Sequence, residues 1–422
     1  MLTSNIHDMT IIQPYSLNYF RKVTRYIRIH RTRLRKTLRL YKEEAMLVLG
    51  FHLENFLEGY ARIVLNYVGT LLNRFDHVTI LNINDYKINV LDLILSLYRG
   101  LVTNKYLQII DLYGAKYLSP LQIFIEEFLG VFFDKDAIVF IGWRPYLPLS
   151  LLLNRRAKVL IIPAYSRNYF KSLLKCLKIL SGTNTTAVIL NPYLSSNLGR
   201  HIFLKQYPPI NPLFFEMGHH MLNERSRSPE VVYRLMGRLH PSRGYREAII
   251  AFKRFKSANP SAKARLIIDS FSEDPSIKGV KVVRLRDDAD AVLWNPLRCV
   301  KTGLISPAHV LDEIAKKYAQ SSYVLLPYTW HQFVEPPITL LEALATGSFV
   351  VASDIVASFV DNKVIYEVKR ENIIEDLAKT FGYLYEIYDS NYYWSIRAKA
   401  HEYALRNLSP EVSQKILGEA LG

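Results

Sequence analysis

The stretch Glu335-Pro336-Pro337-Ile338-Thr339-Leu340-Leu341-Glu342-Ala343-Leu344-Ala345-Thr346-Gly347-Ser348-Phe349-Val350-Val351-Ala352 reads as a helix, a stop and a strand. The residue before a proline is pushed out of the α region, so Glu335 stays extended at the mouth of whatever follows. The spacing predicts a helix over Ile338–Ala345, Gly347 as its stop and an apolar strand over Phe349–Ala352. Immediately upstream, Tyr323–Pro327 is another short apolar strand, leading into a polar loop. Strand, loop, helix and strand in that order form the repeating unit of a parallel α/β sheet.

The same alternation extends in both directions. Downstream, Ile373–Tyr388 and Trp394–Arg406 read as helices. Upstream, the expected order is strand Val231–Met236, helix Gly244–Ser257, strands Arg265–Ile268 and Lys281–Val283, and a less legible region through Trp294. Ser306-Pro307 marks a helix start, with Ser as N-cap and Pro in the first turn. Before these lie strands Met46–Leu49, Val78–Leu81, Ile109–Asp111, Ala137–Ile141, Val159–Ile162 and Thr186–Leu190, with a helix over Tyr60–Asn73. Around Tyr207-Pro208-Pro209-Ile210-Asn211-Pro212 the pattern stops, and the prolines place a domain hinge between there and the polar stretch Asn223–Pro229. His219-His220 is read as linker, lacking further ligands at metal spacing. The expected organisation is a basic extension 1–44, a first Rossmann-like domain 45–215, a second 225–388, and C-terminal helices 389–422 with a return to the first domain left open.

Composition agrees with a large globular chain: 422 residues, 50% hydrophobic and 22% charged, enough to bury two or three domain cores. Cys176 and Cys299 are too few and too far apart for a disulfide framework or a paired-cysteine zinc site, so a reducing cytoplasm is the simplest expectation. No apolar run is long enough to span a bilayer, and the start lacks a signal peptide's features. The net charge is +16, and Met1–Lys42 holds ten basic residues against Asp8. Phe20, Val23, Ile27, Leu34, Leu38 and Tyr41 fall on one helical stripe between those arginines and lysines. Segment 14–42 is thus a cationic amphipathic helix, suited to packing on its own domain, to an anionic membrane surface or to nucleic acid, the last disfavoured. Segment 165–180 forms a second one, with Arg167, Lys171, Lys175 and Lys178 beside Phe170, Leu173, Leu174, Leu177 and Leu180. Two such elements in one half of the chain point to a protein peripheral to the cytoplasmic face of a membrane.

In doubly wound sheets, ligands bind at the carboxyl ends of strands, where helix N-termini present backbone N–H groups. Gly237-Arg238-Leu239-His240-Pro241-Ser242-Arg243-Gly244 follows a strand and opens a helix. Arg238 and Arg243 beside a helix N-terminus would clamp a diphosphate with forked donors. An inward-facing Glu342 could accept from the vicinal hydroxyls of a ribose, with Glu335 near a sugar and Ile338 and Thr339 at the same helix mouth. Each feature alone has an ordinary reading, as surface caps or helix-face carboxylates.

Together, Gly237-Arg238-Leu239 with Arg243-Gly244, and the glutamate-bracketed helix about ninety residues later, resemble the donor-site segments of family 4 retaining glycosyltransferases. The resemblance is specific over roughly Val231–Asp354 and architectural over Ala45–Asn211. It implies the GT-B fold, two Rossmann-like domains facing a cleft, with a nucleotide-sugar donor on the second and an acceptor on the first. It implies Arg238 and Arg243 on the diphosphate, Glu342 on the ribose, retention of anomeric configuration, and no divalent metal or other cofactor. No Asp-x-Asp motif stands at either loop, in keeping with that expectation. Three departures are visible. The family's glutamates stand eight positions apart, whereas Glu335 and Glu342 are seven apart; Arg243 stands where lysine is usual; and the family's Gly-Gly near the first strand is represented by Glu58-Gly59. Gly59 and His52 are the candidates on the first domain. Alternatives are a catalytically impaired GT-B-like binding or scaffold protein and a nucleotide-sugar epimerase of the same fold.

Overall fold

The chain, seen here as a computed structural model, is described over residues 44–49, 59–75, 77–82, 106–111, 137–141, 159–162, 186–193, 203–225, 228–237, 240–271, 280–285, 289–294, 306–331 and 335–421. The basic segments 14–42 and 165–180, and the candidates His52 and Arg238, lie outside those residues.

Two seven-stranded sheets organise the molecule. The first contains β1 (Glu44–Leu49), β2 (His77–Asn82), β3 (Tyr106–Asp111), β4 (Ala137–Ile141), β5 (Val159–Ile162), β6 (Thr186–Ile189) and β7 (Phe203–Lys205). It is parallel throughout, in the order β3-β2-β1-β4-β5-β6-β7. The second contains β8 (Val231–Met236), β9 (Ala264–Phe271), β10 (Val280–Leu285), β11 (Ala289–Trp294), β12 (Tyr323–Leu326), β13 (Val350–Ser353) and β14 (Ile365–Val368), in the order β10-β11-β9-β8-β12-β13-β14. Here only the edge strand β10 runs antiparallel to its neighbour. Three residues separate it from β11, far fewer than a parallel crossover needs. Strand order reverses between β1 and β4 and between β8 and β12, which creates one crevice at the carboxyl edge of each sheet.

The described helices are α1 (Gly59–Arg74), α2 (Pro212–Glu224), α3 (Tyr245–Ala258), α4 (Pro307–Gln320), α5 (Ile338–Ala345), α6 (Asp354–Ala357), α7 (Ile373–Ile387), α8 (Asn391–Leu408) and α9 (Pro410–Leu421). Ser306 caps α4 as expected, its Oγ accepting from His309 N–H at 3.2 Å. Within the span where the hinge is expected, Pro212–Glu224 form a helix. Pro212 stands in the first turn, where its missing N–H costs nothing, and the Asn211 side chain accepts from Leu213 N–H at 3.0 Å. The prolines that stop β7's continuation therefore start α2. The helix packs against α4, α8 and α5 of the second sheet, and a β-carbon at Gly218 would fall 2.6 Å from Ala345 O. His219 and His220, read as linker, are exposed side chains on this helix, His220 pairing with Glu224 at 3.2 Å.

Tyr233, Phe252, Phe255, Tyr323 and Phe381 form the aromatic centre of the second sheet's core. The buried hydroxyls of Tyr233 and Tyr323 donate to the carbonyls of Phe381 and Leu384, so these tyrosines bury area without orphaning a polar atom. At the C-terminus α9 packs on α1 and β5, and Arg74 Nη1 donates to Gln414 O at 3.1 Å. Helix α1 is buried at every residue from Ala61 to Leu72 and exposed at Asn73 and Arg74.

Candidate functional site

The crevice between β8 and β12 is shaped by two glycines. Gly237 ends β8 at φ 136°, with its N–H donating to Asp269 O on the neighbouring strand at 3.0 Å. A single 3-10 turn follows, Pro241–Arg243, its N-terminus capped by the His240 ring accepting from Ser242 N–H. Gly244 then takes φ 68° against the carbonyl of Pro327, where a β-carbon would sit 1.8 Å from the oxygen. That close approach lays the turn across the end of β12, fixed by Thr329 N–H donating to Ser242 O at 3.0 Å. Arg243 thereby stacks over Tyr328, its guanidinium carbon 4.2 Å from the ring centroid. The Tyr328 hydroxyl is 3.0 Å from Thr339 Oγ1, which ties the β12 loop to the first turn of α5.

Helix α5 is held from its far end. Arg397, 1% exposed, donates from Nε to Gly347 O at 2.7 Å, from Nη2 to Ala319 O at 2.9 Å and from Nη1 to the Tyr393 hydroxyl at 2.9 Å. His401 Nδ1 lies 2.7 Å from Ala345 O and serves as donor there. A cation at the carbonyl end of a helix is favourable, and here it also satisfies acceptors that the helix leaves open. The opposite end points into the crevice without a side-chain cap and without an acidic residue in its first turn. Its free N–H groups are suited to an anion. Just before it, Glu335 is buried and its backbone carbonyl accepts from His331 Nε2 at 2.9 Å.

Glu342 is the most enclosed carboxylate of this group, at 1% exposure. Arg62, from the first turn of α1 on the other sheet, places Nη1 at 2.8 Å from one carboxylate oxygen and 2.6 Å from the other. Burial pushes the Glu342 carboxyl up to about 7 while Arg62 pulls the other way. Tyr318 on α4 is fully buried near the same pair, and burial holds its hydroxyl well above the usual phenol range. Glu342 reinforces that rise, whereas Arg62 and Arg243 oppose it. Asp269, at the end of β9, is neutralised by Arg234 and by Lys317 Nζ at 2.6 Å, so it does not repel an anion approaching Arg243.

The structure brings Gly237, Arg243, Ile338, Thr339, Glu335 and Glu342 to this end of the second sheet, and Gly59 opens the helix that carries Arg62. Arg62 is the residue that sequence reasoning passed over. Its signal is present nonetheless: Arg62, Asn66, Thr70 and Arg74 recur every four residues along a helix whose one further amide or charged side chain is Asn73. Three of the four reach out of α1, to Glu342, to Pro209 O and to Gln414 O, while Thr70 bonds back to Asn66 O. Among the described residues, His309, Asp312 and Glu313 on α4 bring possible metal-ligand atoms within 4.8 Å of one another, and Lys316 pairs with both carboxylates. No described helix is long and apolar enough to cross a membrane.

No family model matches the chain, and neither does any curated protein. Solved structures do match. A glycosyltransferase from Rickettsia africae shares 14% identity at a TM-score of 0.59, covering 90% of this chain and 99% of its own. HepE from Anabaena, determined with UDP, shares 13% identity at a TM-score of 0.58, with 90% and 99% covered. WaaG, a glycosyltransferase of lipopolysaccharide biosynthesis, shares 13% at a TM-score of 0.51, with 88% and 99% covered. At such identities the likeness concerns the fold, which is the two-sheet GT-B arrangement.

Proposed function

We propose that the chain is a glycosyltransferase that moves a sugar from a nucleotide-sugar donor, with retention at the anomeric carbon and without a metal ion. The observation that carries this reading is the convergence of Arg243, the uncapped N-terminus of α5 and Glu342 on one crevice at the strand-order reversal. In the transfer, the bond from the anomeric carbon to the diphosphate breaks and the acceptor oxygen bonds to that carbon. The acceptor's proton passes to the departing diphosphate. Negative charge grows on the diphosphate as it leaves, so cations and oriented N–H groups placed there stabilise the transition state more than the ground state. Arg243, with Arg238 from the same loop, takes that role. Glu342 accepts from the ribose hydroxyls and Glu335 lies towards the transferred sugar. The acceptor is taken from an anionic membrane surface, to which segments 14–42 and 165–180 attach the protein on the cytoplasmic side.

A second reading has an observation of its own. The Glu342 carboxylate is already bound by Arg62, and its spacing from Glu335 is seven residues where the family has eight, which favours a GT-B-like chain that binds without transferring. Incubation with radiolabelled UDP-, GDP-, ADP- and dTDP-sugars, with and without lipid extract, separates the two. Release or transfer of labelled sugar by the wild type, lost in Arg243→Ala, supports the enzyme. Donor binding without turnover supports the binding protein.

A further inference from the structure

We propose that Arg62 is a phosphate-binding residue of the donor site, which exchanges Glu342 for the diphosphate of a bound donor. The inference rests on the reading of Glu342 as the ribose carboxylate and adds a residue from the opposite sheet.

The pairing itself is incomplete. A guanidinium normally meets a carboxylate with two nitrogens of its fork, one on each oxygen. Here Nη1 alone bridges both oxygens, and Nε, buried with the rest of the side chain, has no partner among the described residues. The hydroxyl of Tyr318 is another buried polar atom without a partner among the described residues, and it lies within the electrostatic reach of Arg62, Glu342 and Arg243 together. Two unmade buried donors beside one carboxylate call for an explanation, and a ligand that completes the site supplies one. The groups present define what that is: two guanidiniums from opposite sheets, one carboxylate and one hydroxyl. Their complement is a ligand with an anion for the arginines and vicinal hydroxyls for the carboxylate, as in a nucleoside diphosphate.

The same groups explain why the diol alone should not open the site. Neutral hydroxyls make weaker bonds to a carboxylate than a guanidinium does, so they cannot displace Arg62 unless its charge is satisfied elsewhere. A diphosphate supplies that charge. In the exchange, Glu342 passes from Arg62 to the ribose and Arg62 passes from Glu342 to the diphosphate, with no charge left bare. Because Arg62 sits on α1 and Glu342 on α5, donor binding releases a contact between the two sheets.

Calorimetric titration of the full chain with UDP and with uridine, repeated for the guanosine and adenosine pairs, tests this in wild type, Arg62→Gln and Arg62→Lys. Arg62→Gln should weaken the nucleoside diphosphate by about tenfold or more while leaving the nucleoside unchanged or tighter, and Arg62→Lys should recover part of the loss. Parallel weakening of both ligands would make Arg62 a mere support for Glu342, and parallel tightening would make it a plug; either result, or no change, overturns the proposal. Hydrogen exchange on the wild-type chain covers the case in which Arg62→Gln does not fold. UDP should alter protection at Gly59–Asn66 and Ile338–Ala345 together, and a change confined to α5 overturns the proposal. Wild-type protein that binds none of UDP, GDP and ADP instead removes the donor site and the function proposed for it.

Discussion

A β-carbon on Gly244 would lie 1.8 Å from the carbonyl oxygen of Pro327, so the loop that carries Arg243 and the segment after β12 that carries Tyr328 meet at a point where only hydrogen fits. The backbone there is also left-handed, at φ 68°. Gly244→Ala therefore incurs both conformational strain and a backbone clash, and we expect a loss of about 2–4 kcal/mol in denaturant-derived stability. Gly237→Ala is the control, since φ is 136° but no atom lies within 4 Å of the added carbon. Its loss should be about 1–3 kcal/mol, from backbone strain alone. Equal losses would mean that the Pro327 contact is not what fixes the loop.

Arg397 gathers a carbonyl of the last turn of α4, the Gly347 carbonyl just past α5 and the Tyr393 hydroxyl around one buried charge. Arg397→Met removes the charge and leaves three polar groups without that donor. We expect about 3–5 kcal/mol of destabilisation, the range for breaking a buried ionic or hydrogen-bonded network. Arg397→Lys keeps the charge but not the planar fork, and should fall between wild type and Met. Denaturant midpoints at constant slope measure both. A loss below about 1 kcal/mol for Met would show that water replaces the guanidinium.

The alternation of strands and helices was legible because strands buried on both faces of a parallel sheet read as short continuous apolar runs. Ala137–Ile141, Val159–Ile162, Val231–Met236 and Ile338–Ala345 have the predicted limits. What escaped obeys other rules. Helix α2 was hidden because prolines at a helix start and prolines that end a strand look alike without Asn211 recognised as the cap. Edge strands β7 and β14 are only three and four residues long, and only the two ends of β14 are buried. In the site, the loop residues Gly237 and Gly244 and the helix residue Glu342 follow local spacing. Arg62 meets Glu342 across 280 positions of sequence, and no local pattern encodes a contact at that separation.

Stability should fall as pH rises through neutrality, by a contribution assignable to Glu342. Its carboxyl moves from 4.5 to about 7 in the folded chain because burial outweighs the Arg62 charge. A raised pKa means that the folded state holds the proton more tightly than the unfolded state. The corresponding stability is complete below about 4.5 and is lost as pH passes through about 7. Thermal unfolding of wild type and Glu342→Gln between pH 4.5 and 8 isolates this group, since other titrating residues are common to both. The variant should show the flatter profile. Parallel profiles would mean that Glu342 remains ionised throughout.

Glu335 and Glu342 should separate by ligand, and that separation decides how a seven-residue spacing serves a donor. Glu342 reaches the crevice from inside α5, so Glu342→Ala should weaken a nucleotide sugar and its free nucleoside diphosphate alike, both containing the ribose. Glu335 precedes Pro336 and Pro337, which keep its backbone extended, and its carbonyl is anchored by His331. That places it before the helix mouth rather than on the helix face. Glu335→Ala should therefore reduce turnover and nucleotide-sugar affinity while sparing the free diphosphate, with His331→Ala giving a weaker version of the same pattern through the lost anchor. Paired titrations with the donor and its diphosphate, alongside initial rates, give the comparison. If Glu335→Ala weakens both ligands equally, Glu335 acts on the nucleotide and not on the sugar. Full turnover without Glu335 would assign the sugar contact to the backbone that leads into α5.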